Sequence, residues 1–253
     1  MSYPVPRRYK ELILQPFKKQ YTQALSNINI DIETGDRVAF LGTNGAGKTT
    51  LLKLTGGLLL PTQGRIIVDG YDTARNNIQA RRSVGFILNE ERSFYWRLTG
   101  VQNLQFFGAL DNIYGKPLQD KIAELMELVG LHNAGNKLVA GYSSGMKQKL
   151  AIARGLLSDP NILILDEPTR TLDPIAAEDI KELIQTRIRA QVLLIATHRL
   201  DEVETLCNKI CVMNRGRIAA LTTVDEAKNN YTNLFEFYTS VINPGKYACD
   251  ESL

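Results

Sequence analysis

The chain has 253 residues, 44% of them hydrophobic, with a formal net charge of +3 and three cysteines. That is enough apolar material for a buried core, in one domain or in one domain with an inserted subdomain. The near-neutral charge makes no demand for a nucleic-acid partner, and Cys207, Cys211 and Cys249 give no even disulfide framework. No run approaches the roughly 18–20 uninterrupted apolar residues that cross a bilayer. The start, MSYPVPRRYKELILQPFKK, lacks the apolar centre of a secretory signal, so a cytoplasmic protein is expected. Cys207 and Cys211 stand four apart, as on one helix face, but neither His132 nor His198 is near them in sequence. Both read as small buried side chains.

Residues 1–20 form a basic leader carrying Arg7, Arg8, Lys10, Lys18 and Lys19. Tyr9, Leu12 and Ile13 suggest a short amphipathic helix ended by Pro16. This is either a solvated leader or a helix lying on a membrane surface or membrane partner. Leu25, Ile28, Ile30 and Ile32 alternate with polar residues and predict a strand, closed by a turn at Gly35-Asp36. Arg37–Leu41 is a short apolar run of the buried-strand type. Thr50–Leu54 is helix-forming and stops near Gly56-Gly57, and Gly64–Val68 is a further strand with its turn at Asp69-Gly70. Between residues 90 and 155 the pattern is helical, clearest at Ile122, Leu125, Met126 and Val129. Ile162–Leu165 and Val192–Ala196 are apolar runs of strand length on either side of a helical stretch, Ile175–Arg189. Strands alternating with helices predict an α/β fold with a doubly wound, mostly parallel sheet. The helical block looks inserted, and no tandem repeat or low-complexity segment is present.

Two segments carry chemistry. Gly42-Thr43-Asn44-Gly45-Ala46-Gly47-Lys48-Thr49 fits the phosphate-loop pattern, with a strand before it and a helix, starting near Thr50, after it. Glycines let the backbone curl so that successive N–H groups face phosphate oxygens, and the helix adds the positive end of its dipole. Lys48 supplies a point charge near the outer phosphates and Thr49 a hydroxyl for Mg²⁺. The second segment, Ile162–Leu165 followed by Asp166-Glu167, brings two carboxylates to the C-terminal end of a buried strand, where open parallel sheets bind ligands. Asp166 is suited to holding Mg²⁺ through water, and Glu167 to polarising an attacking water.

These motifs, with Tyr142-Ser143-Ser144-Gly145-Met146, Leu165-Asp166-Glu167-Pro168-Thr169, Leu172-Asp173 and His198, stand in the order of an ATP-binding cassette (ABC) ATPase. The resemblance covers residues 20–220. It implies a P-loop nucleotidase core of mostly parallel sheet (21–88 and 160–220), a small N-terminal antiparallel β part, an inserted helical signature subdomain (89–159) and a tail (221–253). It also implies that ATP, with Mg²⁺, is bound by Gly42 to Lys48 (including Thr43, Asn44, Gly45, Ala46 and Gly47), by Thr49 and Thr50, and by Tyr21 stacking on adenine. Glu167 and His198 would be catalytic, with His198 as the γ-phosphate switch. Ser143, Ser144, Gly145 and Met146 resemble the family signature, commonly Leu-Ser-Gly-Gly-Gln, which opens a helix (here Lys147–Leu157) and caps ATP held by a second subunit. Asp173 fits the loop that contacts that subunit.

Three departures stand out. Asn89 replaces the usual glutamine, shorter by about 1.5 Å, which favours a water-mediated over a direct contact with Mg²⁺. Ser144 and Met146 occupy positions where glycine and glutamine are common. Arg170-Thr171 replaces small residues before Leu172-Asp173, which bears on subunit communication. Arg92-Ser93-Phe94-Tyr95-Trp96-Arg97-Leu98 lies where the family grips a helix of its membrane partner, and reads equally as core. The resemblance therefore implies a homodimer of nucleotide-binding subunits with a separate transmembrane permease, at the cytoplasmic face of the inner membrane, and no nucleic acid. The signature variant and basic leader look like bacterial exporters. The candidate cargo is lipid-linked polysaccharide, and the alternatives are a drug, an antibiotic or an ion. A soluble cassette ATPase acting on ribosomes or DNA is the reading of another class. It is disfavoured by the single phosphate loop and the lack of a heptad run. Tyr231, Phe235, Phe237 and Tyr238 form a tail cluster that either packs on the fold or regulates.

Overall fold

The computed structural model describes residues 2–4, 21–87 and 94–243. Its centre is a six-stranded sheet in the order β10-β9-β3-β8-β7-β6. The strands are β3 (Arg37–Leu41), β6 (Val84–Ile87), β7 (Ile162–Asp166), β8 (Val192–Thr197), β9 (Lys209–Asn214) and β10 (Arg217–Thr223). All pairings are parallel except β9 with β10 at the edge. Among the described residues two small antiparallel pairs join it: β1 (Ser2–Pro4) with β2 (Tyr21–Gln23), and β4 (Ile67–Val68) with β5 (Tyr71–Asp72) across Asp69-Gly70. The predicted strand at Gly64–Val68 is thus only its last two residues.

The parallel strands read as continuous apolar runs because both faces are covered. Val38 and Phe40 of β3 face α1 (Lys48–Thr55) and α2 (Asn77–Arg82), packing with Leu51, Leu52, Leu54 and Ala80. Ala39 and Leu41 point the other way, onto α7 (Leu200–Leu206), α8 (Val224–Asn230) and α9 (Leu234–Ile242). Leu234 and Phe237 of α9 are buried there, and the Tyr231 and Phe237 rings meet edge-on at 5.4 Å, so the tail cluster packs on the fold. Phe235 is exposed.

Between β6 and β7 the chain forms α3 (Gly100–Leu110), α4 (Gly115–Leu128) and α5 (Ser144–Gly155). Thr99 and Gln102 close a capping box at the start of α3, which fixes its entry. Ile122, Leu125, Met126 and Val129 are buried, as their spacing predicts. They belong to one core with α5, with α6 (Pro174–Thr186) and with Leu163, Leu165, Leu193 and Ile195 of the sheet. Gly85 of β6 lies directly under α5, where an added Cβ would run into the Gly155 carbonyl oxygen. No described helix is long and apolar enough to cross a membrane.

Two expectations fail locally. Residues 24–32 form no strand, although Ile28, Ile30 and Ile32 do pack inward on the core beneath α1. The alternation reports a half-buried segment that pairs with no strand. Cys207 and Cys211 share no helix face: Cys207 ends α7 and Cys211 lies inside β9. Cys211 is buried as expected and Cys207 only partly so, with Arg37 and Glu202 near it, and burial pushes each thiol up to about 12. The leader helix at Tyr9–Ile13, Cys249, Asn89, Arg92 and Ser93 lie outside the described residues.

Replacing Gly85 by alanine should therefore overpack a backbone contact and destabilise the protein by about 1–3 kcal/mol. Gly141→Ala, where a Cβ meets nothing within 4 Å, should change little. Denaturant midpoints of the two variants check this; equal midpoints would refute the close approach at Gly85.

Candidate functional site

The site forms where three parallel strands end level. Leu41 of β3 pairs with Thr197 of β8, and Asp166 of β7 with Ala196. The next residues of the three strands are Gly42, His198 and Glu167.

After β3, the loop turns into α1 through Gly47 at φ 105, where an added Cβ would sit 2.6 Å from Leu25 Cδ2 and 3.1 Å from the Ala24 carbonyl oxygen. Only glycine meets both the left-handed backbone and the close approach. No side chain caps α1 and its first turn holds no acidic residue, so its amide dipoles face the cavity unopposed. Lys48 is buried. Its Nζ donates to the Gly42 and Thr43 carbonyl oxygens at 2.6 and 3.2 Å, which aims the charge back across the loop. Burial pushes this ammonium below its ordinary range, against the pull of Glu167 and Asp166.

Thr49 Oγ1 donates to Asp166 Oδ1 at 3.1 Å. Burial lifts Asp166 above the usual carboxylate range, while this hydrogen bond works the other way. A hydroxyl and a carboxylate so close are hard oxygen donors that fit Mg²⁺, which takes one or two protein ligands and completes its shell with phosphate and water. Among the described residues no group of three His, Cys, Asp or Glu side chains could hold a metal ion.

Glu167 has φ 49, a left-handed conformation unusual for a non-glycine residue. Its N–H donates to the Ala196 oxygen at 2.8 Å, extending the ladder one step while the chain turns. The two carboxylates therefore diverge: Asp166 meets Thr49, whereas Glu167 meets His198 Nδ1 at 3.2 Å and Arg170 Nη1 at 3.0 Å.

Asn44, Gly45, Ala46, Gly47, Lys48, Thr49, Thr50, Asp166 and Glu167 line one cavity of about 600 Å³. Gln23, Ala24, Arg170, Arg215 and Gly216 also line it. Arg215 and Gly216, absent from the sequence reading, form the β9–β10 turn. Gly216 donates its N–H to the Ala46 oxygen at 2.9 Å and accepts from Ser26 N–H at 2.8 Å, bracing the loop. The turn signal Asn214-Arg215-Gly216 is legible in the sequence, but its proximity to Ala46 is not. Tyr21 lies in β2, two residues from Gln23, and its ring is outside the described residues.

The remaining residues read from the sequence do not line the cavity. Ser143 and Ser144 are exposed. Ser143 Oγ accepts from Met146 N–H at 3.2 Å as the N-cap of α5, which starts three residues before the expected Lys147. Gly145 is buried, 3.1 Å from Ala176 Cβ at the position of an added Cβ. Asp173 caps α6, accepting from Ile175 and Ala176 N–H at 3.1 and 3.0 Å. In the aromatic stretch Phe94 is buried, whereas Tyr95 and Trp96 are each 51% exposed, so the segment is core at one end and surface at the other.

Residues 25–170 match the family model described as ABC transporter. The ABC transporter ATP-binding protein NatA of Bacillus subtilis is 35% identical over 229 residues, covering 89% of this chain and 93% of that protein. The bacitracin transport ATP-binding protein BcrA of Bacillus licheniformis is 36% identical over 220 residues, covering 86% and 71%. A dimeric ATP-binding cassette solved in a post-hydrolysis state with ADP and Pi shares the fold. Its TM-score is 0.72 at 24% identity, covering 88% of this chain and 94% of that one. The chain belongs to the ABC transporter family and is one of its ATP-binding, ATP-hydrolysing subunits.

Proposed function

We propose that this chain is the nucleotide-binding subunit of an exporter, working as a homodimer at the cytoplasmic face of the membrane on a separate permease. The carrying observation is the single cavity that joins the phosphate loop to Asp166 and Glu167, with His198 against Glu167.

In this reading the amides of Asn44–Thr50 and Lys48 hold the phosphates of ATP, and Tyr21 stacks on adenine. Lys48 exchanges its carbonyl partners for phosphate oxygens. Thr49 and Asp166 would hold Mg²⁺, which when bound neutralises charge on the outer phosphates. Asn89 belongs to this set by sequence position alone. Glu167 polarises the attacking water and accepts its proton, and His198 orients the carboxylate from the side opposite Arg170.

Support for a second chain comes from the exposed ends of α5 and α6. Ser143 and Ser144 are exposed and away from the cavity of their own chain, and Ile175, beside Asp173, is 78% exposed. An isologous pair would bring Ser143–Met146 over the partner's ATP and bury Ile175. A dimeric cassette among the fold's relatives agrees with this. Tyr95 and Trp96, with Lys147 Nζ 5.8 Å from the Trp96 ring, suit an anchor on the permease. For the cargo, the relative named for bacitracin transport supports an antibiotic or drug. Neither relative described above bears a name that supports lipid-linked polysaccharide, the first candidate from sequence. Their transporter names likewise favour a membrane role over one on ribosomes or DNA.

Glu167→Gln should retain ATP binding and lower turnover by about 10²–10⁴-fold, the usual worth of a general base, while accumulating as an ATP-bound dimer by size-exclusion chromatography. Wild-type turnover in this variant would sink the role of Glu167. Tagged Glu167→Gln protein, pulled from native membranes in detergent with ATP, should bring down a polytopic membrane protein. Recovery of ribosomes or DNA-bound proteins instead would overturn the exporter reading.

A further inference from the structure

Arg170 is the departure from the family pattern that the mechanism above leaves without a role in binding. It closes a tight turn, its N–H donating to the Glu167 oxygen at 3.2 Å, and its Nη1 lies 3.0 Å from Glu167 Oε2. The partners differ in freedom: the Glu167 side chain is 11% exposed and that of Arg170 58%. Arg170 lines the same cavity as the phosphate loop, and its charge is felt at Lys48, whose ammonium it disfavours. Lys48, Arg170 and Arg215 share this cavity with Asp166 and Glu167, the place where the reading above puts the outer phosphates. An incoming terminal phosphate meets the Glu167 carboxylate, and Arg170, already 3.0 Å from that carboxylate, is the cation placed to offset their repulsion directly. A guanidinium carries five donors in a planar fork that suits phosphate, and pairing with Glu167 occupies one arm.

We infer that Arg170 is a γ-phosphate contact supplied by the same chain, bridging the Glu167 carboxylate and the terminal phosphate so that the cavity prefers ATP to ADP. The inference rests on the phosphate-site reading above. The γ-phosphate is the group that ADP lacks, so the contact appears as discrimination between the two nucleotides. Lysine in this place offers a point charge without the fork and supplies only part of it.

The test is equilibrium titration of wild type, Arg170→Ala and Arg170→Lys with the Mg²⁺ complexes of ADP and of β,γ-imido-ATP, which is not hydrolysed. Arg170→Ala should bind the imido analogue about tenfold more weakly, as expected for loss of one charge-assisted hydrogen bond. Its ADP affinity should stay within about twofold, which also shows that the variant is folded, and Arg170→Lys should fall between. Equal weakening for both nucleotides, or no change in either, overturns the inference. Wild type that binds neither nucleotide overturns the phosphate-site reading beneath it. Loss of both nucleotides in Lys48→Ala with none lost in Arg170→Ala keeps that reading and removes Arg170 from it.

Discussion

Parallel pairing of β3 and β7 on the two sides of β8 is the constraint from which the site follows. The register sets Leu41 opposite Thr197 and Asp166 opposite Ala196, so three chain segments leave the sheet at one height. Each departs with a different chemistry: a loop of amides after β3, a pair of carboxylates at β7 and an imidazole after β8. A slip of one residue along β7 would turn Leu163 and Leu165 to the opposite face and carry Asp166 away from Thr49. The buried apolar alternation on both faces of the sheet is therefore also what aligns the polar groups at its end.

Electrostatics explains the detail of that edge. Lys48 is buried and Asp166 partly so, which disfavours the charged form of each, and each is compensated by its neighbours. Lys48 relies on loop carbonyls and on the two carboxylates, and Asp166 on the Thr49 hydroxyl. Glu167 is turned away by its left-handed backbone and is flanked by His198 and Arg170. The result is a concave surface with opposed charges already in place.

The hairpin β9–β10 plays a part beyond edge protection. Its turn reaches over the sheet end, and Gly216 exchanges backbone hydrogen bonds with Ala46 and Ser26. An added Cβ at Gly216 would strike the Ala24 carbonyl oxygen. The segment 24–32, unpaired as a strand, is held in place by this contact and by the burial of Leu25, Ile28, Ile30 and Ile32. The phosphate loop is thus supported from a region about 170 residues further along the chain.

The sequence by itself determined the parallel α/β class, the phosphate loop, Asp166, Glu167 and the segments that carry them. These rest on local rules: a glycine spacing that permits one backbone curl, apolar runs of strand length, and carboxylates placed at a strand end. The helical pattern at Ile175–Arg189 placed the start of α6 to within one residue, whereas α5 starts three residues before the Lys147 that the resemblance implied. Only the tertiary structure decided what lies beside what. It left residues 24–32 without a ladder, split Cys207 and Cys211 between a helix end and a strand, and brought Arg215 and Gly216 to the loop. It also set Arg170 against Glu167 while leaving the signature residues outside the cavity of their own chain. Those outcomes depend on strand partners and register, which are long-range pairings that no short window of sequence contains.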